Sequence, residues 1–134
     1  MLPFPIGLKL GLPVTEQIIF AVKKAVVVGQ LKPGEKFPSV RVLSQELRIS
    51  PNTAHKAIAS LVDEGVLVAT PAIGTVVARH EAGDRKDCAH LLGAEVERLV
   101  VEAKKLGIER EDVQEAVAAH WEKLGASGRQ YSNK

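Results

Sequence analysis

Residues 49–65, ISPNTAHKAIASLVDEG, carry the signals for both ends of one short helix and a separate role for each of its faces. Ser50 is a favoured N-cap residue, and Pro51 fits the first helical position, where its missing N–H costs nothing. Gly65 suits the residue that follows a helix. Apolar residues at helical spacing predict a buried stripe of Ala54, Ala57, Ile58, Leu61 and Val62. The opposite side of the first turn presents small or basic hydrogen-bonding side chains: Asn52, Thr53, His55 and Lys56.

The elements around this helix predict a winged helix-turn-helix domain over residues 1–80. After an irregular start, residues 14–29 have the apolar spacing of a helix, and a turn around Pro33-Gly34 follows over residues 30–37. Ser39 is the expected N-cap of a second helix, which extends to about Leu47 with Val42, Leu43 and Leu47 facing inward. Two β-branched segments, VLVAT and TVVA, flank PAIG and predict a hairpin. The expected fold class is therefore mainly α with a small β-hairpin wing, in which the third helix would enter a DNA major groove.

The remaining chain predicts a two-helix module over residues 81–125. Residues 87–106 and 109–125 have amphipathic helical patterns, separated at Gly107. A hairpin of two such helices cannot bury both apolar faces by itself, so we expect the same module of a second subunit to cover them. The expected homodimer interface consists of Leu92, Val96, Leu99, Val100, Val117 and Trp121. Residues 126–134, ASGRQYSNK, are polar and predict a disordered tail.

Charge is distributed unevenly between the two parts. Residues 1–80 contain nine Lys and Arg against five Asp and Glu, a net charge of +4. Residues 81–134 contain nine against eleven, a net charge of −2. A basic first domain favours a polyanionic partner such as nucleic acid.

Composition excludes several other classes of protein. Aromatic residues make up only 4% of the chain, too few for a platform that stacks single-stranded nucleic acid. No apolar stretch approaches the roughly 18 residues of a membrane span, and the first residues lack the regions of a signal peptide. Cys88 is the single cysteine, which fits a reducing compartment. We expect a protein that acts in the cytoplasm and contacts no membrane.

No sequence pattern predicts an enzyme, a cofactor or a metal site. A phosphate loop, a nucleophile elbow and an HExxH motif are all missing from the sequence. Metal-ligating atoms do occur in Asp84, Asp87, Cys88 and His90. Residues two apart on a helix point in nearly opposite directions, so Cys88 and His90 are poorly placed to share one ion. We therefore expect neither metal nor cofactor.

The segment QLKPGEKFPSVRVLSQELRISPNTAHKAIASLVDEGVL resembles the DNA-binding domain of GntR-type transcription regulators. The features that carry this resemblance are Gly29 with Leu31, Pro33-Gly34, Pro38-Ser39 followed by Arg41, Asn52-Thr53, the closure from Leu61 to Gly65, and Gly74-Thr75 in the wing. The resemblance implies a regulator that binds double-stranded DNA. Arg41 would contact DNA from the start of the second helix, Thr53 would bind phosphate, and Lys56 matches a position that is often basic.

The full set of DNA contacts expected from the helix pattern and the resemblance is Ser39, Arg41, Ser50, Asn52, Thr53, His55, Lys56, Gly74 and Thr75. The wing tip departs from the family pattern. Relatives commonly carry a basic residue and a glycine there, whereas this chain has Pro71-Ala72. A wing tip without a basic side chain should contribute fewer phosphate contacts.

The short C-terminal module resembles that of the YtrA subfamily of the same family. This resemblance implies a homodimeric repressor whose two recognition helices bind an inverted-repeat operator. It leaves open an unidentified small-molecule effector, for which no residue pattern is evident. The alternative function is a winged helix that binds another protein instead of specific DNA. Burial of Arg41 and Lys56, or their pairing with acidic residues, would favour that alternative.

Overall fold

The computed structural model describes residues 1–79 and 83–128, with side chains described as far as Gly125, and the chain divides into two compact units. The elements of the first unit are α1 (Val14–Val27), α2 (Val40–Leu47), α3 (Pro51–Asp63), β1 (Leu67–Thr70) and β2 (Gly74–Val77). The two strands are antiparallel, with Leu67 opposite Val77 and Thr70 opposite Gly74. The predicted fold class, mainly α with a small hairpin, is confirmed.

The predicted start signals of α2 and α3 are confirmed at the atomic level. The Ser39 hydroxyl accepts a hydrogen bond from the Val42 N–H at 3.2 Å, and the Ser50 hydroxyl accepts one from the Thr53 N–H at 3.1 Å. Each contact satisfies one of the N–H groups that a helix start leaves without an intrahelical partner. The N-cap hydrogen bonds therefore fix the start of α2 after Ser39 and the start of α3 after Ser50.

The core of the first unit lies where α1, α2 and α3 meet the hairpin. Its fully buried side chains are Ile18, Val22, Leu31, Leu43, Leu61, Leu67 and Val77. The prediction for Val42 is wrong, because this side chain is exposed while its neighbour Leu43 is fully buried. The inward face of this eight-residue helix is narrow, and its buried residues are Leu43 and Ser44.

The residues before α1 form an arm that contributes to this core. The Phe4 ring is 4% exposed and stacks on Phe37, with ring centroids 5.7 Å apart and an angle of 11° between the planes. Gln17 holds the arm against α1: its side-chain amide donates to the carbonyl oxygens of Lys9 and Leu12 and accepts from the Lys9 N–H. The irregular start is thus an ordered part of the domain.

The wing contains a further extended segment, although the sequence pattern predicts only a turn over residues 30–37. The Phe37 N–H donates to the Thr75 carbonyl and the Val77 N–H donates to the Glu35 carbonyl, both at 2.8 Å. Lys36 lies between these bonds, opposite Val76. The chain after Pro33-Gly34 therefore pairs with the edge of β2 that β1 leaves free.

The second unit is helical. Helix α4 (Arg85–His90) continues through a π-helical segment, Leu91–Glu95, into α5 (Val96–Leu106), and α6 (Arg110–Gly128) follows the turn at Gly107. Gly107 adopts a φ of 77°, the left-handed conformation expected after a helix. Helix α6 continues past the predicted start of the tail at residue 126, and residues 129–134 lie outside the described residues.

Little apolar surface is buried within the second unit. Ala103 is 6% exposed, whereas Leu92 is 72% and Trp121 is 76% exposed. The other residues of the predicted dimer interface, Val96, Leu99, Val100 and Val117, are also exposed. Few contacts join the described residues of α5 to those of α6. Among the residues that the structure describes, no helix is long and apolar enough to cross a membrane.

Candidate nucleic-acid interface

The turn between α2 and α3 is fixed by a buried hydroxyl group. The Ser44 hydroxyl donates to the Ile49 carbonyl at 2.6 Å, and the Ile49 N–H donates to the Ser44 carbonyl at 3.0 Å. Arg48, between them, takes a left-handed φ of 56° that reverses the chain. The start of α3 is therefore held at a defined position relative to α2. Ser44 was not among the predicted functional residues, and its polarity on the inward face of α2 was the available signal.

Helix α3 divides into two faces as predicted. Ala54, Ala57, Ile58 and Leu61 are buried, while Asn52, His55 and Lys56 are exposed. Ala59 and Asp63 continue the exposed stripe at helical spacing, and neither was predicted to do so. Ala59 would let the helix approach a groove closely, because its side chain is a single methyl group. Asp63 would repel phosphate, so only the N-terminal part of the face is suited to DNA.

Ser50 and Thr53 are joined by a pair of hydrogen bonds at the start of α3. The Ser50 hydroxyl accepts from the Thr53 N–H and donates its own proton to the Thr53 side-chain oxygen at 2.9 Å. The two hydroxyl oxygens are 2.9 Å apart, and a hydroxyl group both donates and accepts hydrogen bonds. Thr53 is half-buried at the first turn of the helix. Its hydroxyl group can donate to a phosphate oxygen at the helix start.

The start of α2 presents a second set of donors. Ser39 and Arg41 are both exposed. The N–H groups of a first helical turn favour anions, because they lack intrahelical acceptors and carry the positive end of the helix dipole. Arg41 adds a planar group with five N–H donors, which can bind a phosphate or the edge of a guanine.

The basic side chains of the first unit differ in whether a described acidic residue neutralises them. Lys23 forms an ion pair with Glu64, at the end of α3. Arg41 and Lys56 make no ion pair with any residue that the structure describes. Both are exposed, so neither condition that would favour the protein-binding alternative is met.

The wing residues Gly74 and Thr75 are the first two residues of β2. The Ile73 N–H donates to the Thr70 carbonyl at 3.3 Å, which closes a turn with Pro71 and Ala72 at its centre. Ala72 has a φ of 71°, as the third position of a type II turn requires. Gly74 is exposed, and Thr75 is half-buried. The turn itself carries no charged side chain.

The metal-ligating atoms near residue 84 have other partners. The Asp84 carboxylate accepts from the Asp87 N–H at 2.8 Å and so caps α4. The His90 imidazole lies 3.4 Å from the Glu95 carboxylate, and Cys88 is exposed. Within residues 1–79 and 83–128, no group of His, Cys, Asp and Glu side chains is arranged to hold a metal ion.

Comparison with known proteins places this geometry in a family. Residues 14–77 match the family model described as bacterial regulatory proteins of the gntR family. The chain is 31% identical over 104 residues to the HTH-type transcriptional repressor YtrA of Bacillus subtilis, an alignment that covers 77% of this chain and 80% of that protein. It is 27% identical over 107 residues to the HTH-type transcriptional regulator Rv1152 of Mycobacterium tuberculosis, covering 80% and 84%.

Solved structures agree with this result. A transcriptional antiterminator from Listeria monocytogenes superposes with a TM-score of 0.80 at 27% identity, over 90% of this chain and 91% of that one. YtrA from Sulfolobus acidocaldarius, a GntR-family transcription factor, shares the fold with a TM-score of 0.57 at 24% identity, over 91% and 99%. The resemblances to the family and to YtrA are confirmed. The chain belongs to the GntR family of bacterial transcription regulators, which are DNA-binding winged helix-turn-helix proteins.

Proposed function

We propose that this chain is a cytoplasmic, homodimeric repressor that binds an inverted-repeat operator in double-stranded DNA. The single observation that carries the proposal is the exposed, hydrogen-bonding first turn of α3, which the Ser44–Ile49 hydrogen bonds hold in place relative to α2. A winged helix-turn-helix places the N-terminal residues of its third helix against base edges in the major groove.

The contact residues divide by chemistry. Thr53, hydrogen-bonded to Ser50 at the helix start, binds a phosphate and fixes the register of the helix on the duplex. Asn52 has the donor and acceptor pair that matches the major-groove edge of adenine. His55 and Lys56 follow on the same exposed face. Arg41 binds a phosphate or a guanine from the start of α2.

The second unit supports the homodimer. Its apolar stripe includes Leu99 and Trp121 and is exposed in the single chain, with Ala103 as its buried residue. Exposed apolar faces of this extent mark interaction sites in folded proteins. A second copy of the same module supplies a matching apolar face, as a two-fold interface requires.

Dimerisation determines the form of the operator. Two recognition helices related by a two-fold axis bind half-sites of opposite orientation, about one helical turn apart. Repression follows if the operator overlaps a promoter, because the bound dimer then excludes the polymerase. The relative from Bacillus subtilis is named a repressor, which supports this direction of regulation.

Fluorescence anisotropy on the DNA upstream of the encoding gene, against a random duplex across a salt series, tests the proposal. We expect selective binding by one dimer. With about 6–10 phosphate contacts, affinity should fall about 10³- to 10⁵-fold between 50 and 200 mM salt. Failure to bind any DNA at low salt would refute the proposal and favour the protein-binding alternative.

A double variant tests which surface is used. Arg41→Ala with Lys56→Ala should weaken binding at least tenfold while leaving the circular dichroism spectrum unchanged, since both side chains are exposed. Lys24→Ala, at an exposed position on α1, is the matched control and should bind as the unmodified protein does. Equal affinity of the double variant and the control would show that DNA binds elsewhere.

A further inference from the structure

We propose that Lys36 supplies the positive charge of the wing and binds a DNA phosphate beside Gly74 and Thr75. The inference rests on the proposed function, because it assumes that the first unit binds DNA. The wing tip, Pro71-Ala72, has no charge of its own with which to bind a phosphate. Lys36 lies outside the hairpin in sequence, and the structure brings it there.

The backbone at Lys36 is held on both sides. The neighbouring Phe37 N–H bonds to the Thr75 carbonyl, and the Glu35 carbonyl accepts from the Val77 N–H, each at 2.8 Å. These bonds place Lys36 opposite Val76, on the outer edge of β2. Backbone hydrogen bonds on both sides of Lys36 therefore hold it against the wing.

The side chain of Lys36 extends towards the tip end of β2. Its Cε atom would lie 3.9 Å from a Cβ built on Gly74, so the stem runs past this first residue of the strand. Because the ammonium group follows Cε, the charge lies close to Gly74, the first of the two predicted wing contacts.

The charge of Lys36 is not neutralised nearby. Among the described residues it forms no ion pair. The adjacent acid, Glu35, accepts a hydrogen bond from the Lys32 N–H at 3.0 Å and is engaged within its own turn. A lysine ammonium is a compact point charge on a flexible stem, which suits a phosphate better than the edge of a base.

Lys36→Gln tests the inference by its effect on salt dependence. Removing one phosphate-binding charge should lower the slope of log affinity against log salt by about 1, hence by about 2 for a dimer. The ratio of unmodified to variant affinity should then shrink about tenfold between 50 and 200 mM salt, on operator and random duplex alike. Lys32→Gln, four residues earlier and also exposed, is the matched control and should leave the slope unchanged.

A second variant separates charge from structure. Lys36→Arg keeps the positive charge and should keep the slope of the unmodified protein, whereas a reduced slope in both variants would overturn the assignment. A Lys36→Gln slope equal to that of Lys32→Gln would also overturn it. The proposed function survives the loss of the Lys36 assignment if the unmodified protein binds DNA and the Arg41→Ala, Lys56→Ala double variant does not. Failure of the unmodified protein to bind DNA would overturn both.

Discussion

The turn at the wing tip holds an alanine in a conformation that suits glycine, and replacing it should stabilise the protein. Ala72 has a φ of 71°, where the Cβ of an L-residue crowds its own backbone. Its side chain is exposed, so a change to glycine removes no buried contact. The Ala72→Gly variant therefore isolates the effect of the backbone conformation.

The expected gain follows from two opposing terms. Relief of the left-handed conformation contributes about 1–2 kcal/mol, by the cost that a Cβ adds there. The greater freedom of glycine in the unfolded chain offsets about 0.4–1 kcal/mol of this. The net increase in the free energy of unfolding should be about 0.5–1 kcal/mol. In a unit of this size, that corresponds to a rise in Tm of about 2–8 °C.

Thermal and urea unfolding, followed by circular dichroism at one fixed protein concentration, measure this gain. Ala59→Gly is the matched control, because Ala59 is exposed in the interior of α3 and has the helical conformation. The same substitution there should destabilise the protein by about 1 kcal/mol. Both variants change the unfolded chain alike, so opposite signs can only come from the folded conformations. Destabilisation by Ala72→Gly would refute the reasoning.

Two further predictions concern packing. Phe4→Ala should lower the free energy of unfolding by about 2–4 kcal/mol in a urea titration, because it removes a buried ring stacked on Phe37; a decrease below about 1 kcal/mol would show that the arm contributes little. Leu99→Glu should convert the proposed dimer into a monomer in analytical ultracentrifugation and abolish operator binding. Val101→Glu, on the opposite side of α5, is the control and should leave the dimer intact. Monomerisation by both changes would contradict the assigned face.

The parts of the fold that could be predicted well from the sequence are those encoded by local signals. The start of α3 is fixed by Ser50 and Pro51, and the helix ends within two residues of the predicted Gly65. Its inner face follows from apolar spacing alone. Pairing between distant backbone segments leaves no such signal, so the strand-like contact of Lys36 with β2 was missed.

The remaining differences have physical causes as well. Phe4 lies in a segment without helical or strand periodicity, so no local pattern predicts its burial. The ring is buried because it stacks on Phe37, which is distant in sequence. The π-helical segment around Gly93 was missed, because an extra residue in a helical turn leaves the amphipathic pattern nearly intact. The candidate site was easier, since exposure of Asn52, His55 and Lys56 follows once the buried stripe of α3 is known.

The hydroxyl pair at the start of α3 restricts how position 50 can evolve. Aspartate caps helices as well as serine does, so stability alone would accept Ser50→Asp. The ionised carboxylate has no proton to donate to Thr53, and it would place a negative charge where the proposed phosphate lies. Threonine retains both the acceptor and the donor. Neutral drift at this position should therefore exclude aspartate, although the helix itself would tolerate it.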